Sequence, residues 1–206
     1  METEHGDWRT YDDVVLSPVL TAALDAFVEF GYHGTTVRII AARASMSVPG
    51  LYYHYPGKQE MLAALLARSL DELLGRSTAA AHDADDDPVA QFRVQVENAV
   101  LFMTHCQKLR LLASRDVISL DEPARSAHVA RRDELQEHVT IPLARGQREG
   151  CFTVDDPAAA ARAVLDMCRG VADWYRPDGP ESPERIAERY TAYALALVGR
   201  TLASDR

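Results

Sequence analysis

TTVRIIAARASMSVPGLYYHYPGKQEML, residues 35–62, reads as two short helices around a tight turn, followed by the start of a third helix. Thr36 is placed to cap the first, because its hydroxyl can accept one of the N–H groups that a helix start leaves without a backbone partner. Val37, Ile40, Ala41 and Ala44 then recur at helical spacing, and Ser45-Met46-Ser47 breaks the run. Ser47 caps the second helix. Val48 and Pro49 fall in its first turn, where the missing proline N–H interrupts no helical bond. Pro56-Gly57 stops this helix near Tyr55. The spacing predicts Leu51, Tyr52 and Tyr55 on an inner face, with Val48, Pro49, Gly50, Tyr53 and His54 on an outer one.

That outer face holds two apolar groups, a glycine, a phenol and an imidazole, an unusual mixture for a merely solvated surface. In a DNA major groove Val48 and Pro49 can touch thymine methyls, Gly50 permits close backbone approach, and Tyr53 and His54 can hydrogen-bond to base edges or phosphates. Thr36 and Lys58 stand at helix N-termini, where free N–H groups and the helix dipole favour a phosphate. Arg38, Ser47 and Tyr52 complete the candidate DNA-binding set.

The pattern extends upstream through VLTAALDAFVEFGYHGTT, residues 19–36. Through Ala23, Phe27, Gly31 and Thr36, then Ile40-Ala41, Ser47, Leu51-Tyr52, Tyr55, Lys58 and Leu62, the chain resembles the N-terminal DNA-binding domain of the tetracycline-repressor (TetR) family. The resemblance covers roughly the first third of the sequence. It implies a homodimeric, ligand-responsive transcription factor, most often a repressor, with double-stranded operator DNA and a second copy of the chain as partners. Three positions depart from the usual family pattern. Ser45 stands where the turn often has glycine, Val48-Pro49-Gly50 where Lys-Gly-Thr often starts the recognition helix, and METEHGDWRTYDD where a basic arm is frequent.

The chain has 206 residues, 47% of them hydrophobic, enough for one large or two small domains. Cys106, Cys151 and Cys168 are widely spaced and odd in number, which points to a reducing cytoplasm rather than a disulfide framework. No apolar run approaches the ~18 residues of a membrane span. A net charge of −9 opposes DNA binding, but the charge is uneven. Residues 31–60 carry Arg38, Arg43 and Lys58 against Glu60, a balance of +2, whereas residues 1–30 carry Arg9 against seven acids, a balance of −6. Few phosphate contacts per subunit are therefore expected, with specificity resting on two half-sites.

Helix punctuation dominates the remainder, and strand signals are almost absent. The reading is all-α with nine helices: one from Ser17-Pro18 to near Gly31, the pair above, Lys58 to about Ser77, Pro88 to about His105, Lys108 to Ser114, Pro123 to about Arg148 with a kink at Pro142, one opened by Asp156-Pro157, and one opened by Ser182-Pro183. HDADDD, residues 82–87, reads as a solvated linker and lacks the frame of a calcium loop. The division drawn is a flexible acidic arm at 1–16, a helix-turn-helix domain at 17–60, and a ligand-binding and dimerisation domain at 61–206.

Small and apolar residues on the last two helices, among them Ala161, Val164, Cys168, Tyr190, Tyr193 and Leu197, predict a four-helix dimer interface. Candidate effector-lining residues are Phe92, Val96, Met103, His128, Met167, Arg169, Trp174 and Arg176, around an apolar cavity with few polar groups. GVADWYRPDGPESPERIAERY, residues 170–190, together with GYHGTT and SVPGLYYHYPGK, is similar to TetR-type regulators of steroid and fatty-acid catabolism. Several of those sense coenzyme A thioesters, so the resemblance implies a small hydrophobic effector, with an acyl-CoA among the candidates; Arg169 or Arg176 would then pair with phosphate or carboxylate and Trp174 would stack on a flat ring. Neither a cofactor nor a metal is expected. Adjacent His105 and Cys106 point about 100° apart on a helix, so adjacency makes no nucleophile–base pair, and Glu134 with His138 reads as a surface pair. The alternative to a regulator is a helical-bundle enzyme or ligand-binding protein without operator binding.

Overall fold

A computed structural model describes residues 7–11 and 14–199. These form nine α-helices and a 3-10 turn at Val117–Ser119, with no strand among the described residues. The helices are α1 (Pro18–Gly34), α2 (Val37–Arg43), α3 (Val48–His54), α4 (Lys58–Asp83), α5 (Pro88–His105), α6 (Gln107–Asp116), α7 (Glu122–Arg148), α8 (Pro157–Trp174) and α9 (Pro183–Leu197). No described helix is long and apolar enough to cross a membrane.

Four helix starts share one chemistry, a short polar side chain followed by proline. Ser17 accepts from Leu20 N (3.3 Å), Asp87 from Ala90 N (2.7 Å), Asp156 from Ala158 N (2.9 Å) and Ala159 N (3.0 Å), and Ser182 from Arg185 N (3.3 Å). Each cap satisfies an orphan donor, and each proline lends its fixed φ where no N–H is needed. The end of α4 differs from the sequence reading. Helix α4 continues past Ser77 to Asp83, because its last turns are alanine-rich and Ala80 is buried, so the acidic linker shrinks to residues 84–87. Helix α7 runs on through Pro142, which is buried with Val139, Leu143 and Gly146.

The chain divides into two compact units. A head unit gathers Asp12–Glu72 and Cys106–Arg131, and a bundle unit gathers Met1–Tyr11, Leu73–His105 and Arg132–Arg206. The head core joins Ala23 and Phe27 of α1, Ile40 and Ala41 of α2, Leu51 of α3, Met61, Leu62, Leu65 and Leu66 of α4, and Leu109 and Leu112 of α6. Helix α6 lies against α1, with Lys108 Nζ 2.7 Å from Asp25 Oδ1. A single division at residue 60 in the sequence does not coincide with these units, because residues far apart in the chain complete the head core. In the bundle unit α5 packs on α8 and α9 and is buried on nearly all sides.

The turn between α2 and α3 puts Ser45 at φ 53, in the left-handed region that favours glycine. Ser45→Gly is expected to stabilise the protein by about 0.5–1 kcal/mol, seen as a melting temperature higher by roughly 1–4 °C. An unchanged or lower melting temperature would show that the turn holds Ser45 without strain.

Candidate nucleic-acid interface

Helices α2 and α3 are held by their caps. Thr36 Oγ1 accepts from Ile39 N at 3.2 Å, and Ser47 Oγ accepts from Gly50 N at 3.1 Å. Leu51 is fully buried and fixes α3 to the core. Two side chains depart from the expected faces. Val48 is half-buried and packs on the core, whereas Tyr52 is exposed. Leu51 is the residue anchored in the core: Val48 and Tyr55 lie within about 60° of it around the helix, and Tyr52 stands about 100° from it. The outward face is therefore Pro49, Tyr52, Tyr53 and His54, with Tyr53 88% exposed and its ring edge-on to His54 at 5.6 Å. Gly50 is close to the cap it helps to form, since a Cβ there would lie 3.1 Å from Ser47 Oγ.

Lys58 does more than the sequence suggested. Its Nζ donates to the carbonyl oxygens of Tyr32 (2.8 Å) and Thr35 (3.0 Å) and lies 4.3 Å from the centre of the Tyr32 ring. These bonds satisfy carbonyls at the C-terminal end of α1, where Gly31 leaves helical geometry at φ 71. The ammonium is thus engaged in closing α1. Thr35, unremarked in the sequence, belongs to the same joint: its buried hydroxyl donates toward Gly31 O (2.8 Å) and Ala26 O (3.0 Å). Tyr32 N donates to Asp116 Oδ1 of α6 at 3.3 Å. This network ties the end of α1 to α4 and α6.

Local pairing also answers the acidic sequence around the head. Glu29 pairs with Arg43 and Asp25 with Lys108, so two of the acids of α1 are neutralised within the head unit. Arg38 remains exposed on α2.

The expected effector residues do not converge. Phe92, Val96 and Met103 are buried in α5, with Phe92 packed edge-on against Phe152 at 5.5 Å. Exposed Arg169 pairs with Asp166 one turn earlier, and Arg176 donates to Tyr175 O (3.0 Å) and Asp173 O (3.5 Å) at the end of α8. Arg169 is thus held within α8, and Arg176 just beyond its C-terminal end, where the exposed carbonyls favour a cation. Half-buried Met167 lies on α8, and exposed Trp174 faces Tyr190 at 6.3 Å. His128 belongs to the head unit, unlike the other seven. There it lines a cavity of about 270 Å³ with Ala63, Ala64, Ala67, Ala124, Ala127 and Arg131. The signal for this cavity is in the sequence as two alanine stripes at helical spacing on α4 and α7, which reads equally well as close helix packing.

The residues expected at a dimer face divide into two groups. Ala161, Val164 and Cys168 are buried within the protomer, and burial pushes the Cys168 thiol up to about 12. Such small residues bring α8 close to its own neighbours α5 and α9. The outward side of α8 and α9 shows Met167, Trp174, Tyr190, Tyr193 and Leu197, with the Tyr190 and Tyr193 rings tilted at 53° and 5.9 Å apart.

A capped pair of short helices, rigidly joined to a third and presenting an uncharged face, is a helix-turn-helix DNA-binding head. Residues 19–65 match the bacterial regulatory proteins of the tetR family, and residues 85–198 match the tetracyclin repressor-like C-terminal domain. The chain belongs to the TetR family of transcriptional regulators. It is 30% identical over 185 residues to the HTH-type transcriptional repressor KstR2 of Mycobacterium tuberculosis, covering 86% of this chain and 89% of that protein. Its fold is similar to a tetR-family regulatory protein from Rhodococcus RHA1 (TM-score 0.84, 26% identity, 94% of this chain and 100% of that one). It is likewise similar to the ketosteroid transcriptional regulator KstR2 of Mycobacterium tuberculosis (TM-score 0.79, 26% identity, 89% of this chain and 94% of that one).

Proposed function

We propose that the chain acts as a homodimeric operator-binding repressor that a small hydrophobic effector, an acyl-CoA thioester, releases from DNA. The observation that carries the DNA-binding part is the outward face of α3, where Pro49, Tyr52, Tyr53 and His54 are exposed on a helix anchored by Leu51 and capped by Ser47. Repression is supported by the KstR2 relatives, which are named repressors. The apolar face of Met167, Trp174, Tyr193 and Leu197 supports dimerisation through α8 and α9. Residues 17–60 then serve as the reading head and 61–206 as the effector and dimer part.

The acyl portion of the effector is assigned to the cavity lined by the two alanine stripes. Its walls are apolar, and His128 and Arg131 supply the few polar groups that orient a ligand. Both α4 and α7 pass from the head unit into the bundle unit along the chain, so occupancy of this cavity acts on the elements that the two units share. Release follows as a population shift: the effector binds more tightly to the conformation with the lower operator affinity, a coupling of about 1–3 kcal/mol.

Two measurements test this. A labelled duplex from the promoter beside the protein's own gene is expected to be retarded on a gel and chased by the same unlabelled duplex but not by a scrambled one; absence of retardation removes the DNA-binding reading. In thermal unfolding, CoA thioesters are expected to stabilise the protein by about 2.7 kcal/mol at a hundred times Kd, while the free acids give less. No stabilisation by any thioester would remove that effector class and leave the DNA result standing.

A further inference from the structure

Residues 7–11 form a cluster that operator recognition does not use. Trp8 is buried at 1% exposure. Arg76 of α4 donates from Nη1 to the carbonyl oxygens of both Trp8 and Thr10 at 2.8 Å, and its guanidinium lies 3.8 Å from the centre of the Tyr11 ring. Arg9 donates from Nε (2.6 Å) and Nη2 (3.0 Å) to the two carboxylate oxygens of Glu97 on α5, and stacks 4.0 Å over Trp8. Tyr11 lies flat on His105 at the end of α5, with centroids 4.5 Å apart and planes 8° from parallel. Burial holds the His105 pKa below its usual value, which keeps the ring neutral in the stack.

We propose that this segment is a clasp on the bundle unit, and that opening the clasp weakens operator binding. The proposal rests on the operator-binding reading. Its sign comes from charge. Residues 1–13 hold Arg9 against Glu2, Glu4, Asp7, Asp12 and Asp13, a balance of −4. Once undocked, the arm is tied by only a few residues to Ser17, the cap of α1 in the head unit, so its charge can approach the DNA phosphates. While docked, Arg9 is neutralised by Glu97, and two backbone carbonyls of the segment are fixed by Arg76. The clasp is built to open: the buried Trp8 Nε1 has no acceptor among the described residues, so the docked state carries an unsatisfied polar group. A basic arm would gain from reaching DNA, whereas residues 8–11 here are bonded to α4 and α5.

The test uses the full chain labelled with 5-fluorotryptophan, whose two ¹⁹F signals are assigned by Trp8→Phe. In the unmodified protein the Trp8 signal should be insensitive to a soluble paramagnetic probe, and Arg76→Ala should make it sensitive. A sensitive Trp8 signal in the unmodified protein would overturn the clasp. Arg76→Ala should also bind the promoter duplex at least roughly threefold more weakly at ~0.1 M salt, with the difference fading above about 0.5 M. Adding Glu2→Gln, Glu4→Gln, Asp7→Asn, Asp12→Asn and Asp13→Asn to Arg76→Ala should restore affinity. Unchanged affinity in Arg76→Ala, or no restoration by the neutral arm, would overturn the regulatory role. If the unmodified protein binds no duplex, the operator reading and the regulation fall together, while the ¹⁹F measurement still decides whether the segment docks.

Discussion

Tyr53→Glu is expected to lower operator affinity by at least a hundredfold, while unfolding stability stays within about 0.5 kcal/mol of the unmodified protein. Tyr53 is 88% exposed in α3, and its ring touches His54 rather than the core. Glutamate is a good helix former, so the exchange adds no local strain. On DNA the same exchange removes a hydrogen-bonding ring and directs a carboxylate at a surface carrying about one negative charge per 1.7 Å of duplex. Fluorescence anisotropy on the promoter duplex, with a melting curve on the same sample, separates the two effects. A variant that binds as tightly as its parent would move recognition off α3. A variant that loses binding and melts much earlier would mean that Tyr53 supports the fold.

The second large effect lies far from α3. Gly146→Ala is expected to destabilise the protein by about 2–3 kcal/mol net, a fall in melting temperature of roughly 4–12 °C. A Cβ at Gly146 would sit 2.4 Å from Cδ2 and 2.6 Å from Cε2 of Phe152. Phe152 has little room to retreat. It is buried against Phe92, and its backbone N bonds to Gly146 O at 3.3 Å while Cys151 N bonds to the same oxygen at 2.7 Å. Glycine in a helix is ordinarily about 1 kcal/mol worse than alanine, so a net loss means that overpacking exceeds that gain. A fall below about 2 °C in calorimetry would show that the ring can swing aside.

The helix starts were legible because they are local. Ser17, Thr36, Ser47, Asp87, Asp156 and Ser182 cap within three residues of themselves, so short-range sequence contains the whole interaction. The exposed face of α3 was legible except at Val48 and Tyr52, where a seven-residue helix leaves the facing direction to the exact placement of Leu51 in the core. The role of Lys58 was half legible. Its place at a helix start is a sequence property, but its bonds to Tyr32 O and Thr35 O depend on where the end of α1 comes to lie.

The dimer and effector residues show the limit of periodicity. Ala161, Val164 and Cys168 form an apolar stripe whether the partner is α5 of the same chain or a second copy, and hydrophobicity has no direction of its own. Phe92 and Met103 read equally as cavity wall or filled core. The alanine stripes of α4 and α7 carry no sign that a void lies between them. Nor does METEHGDWRTYDD announce a docked Trp8, because Arg76, Glu97 and His105 lie about seventy to a hundred residues away in the chain.

For this protein the sequence by itself determined the all-α class, the positions where most helices begin, the helix-turn-helix and its membership of a regulator family, because caps, breakers and helical periods act over three to seven residues. The tertiary structure alone decided which apolar stripe faces inward, where a cavity remains, and that the N-terminal segment is bound to α4 and α5. Those outcomes depend on which distant surfaces meet, and the free energy of burying an apolar face is nearly the same whichever surface covers it.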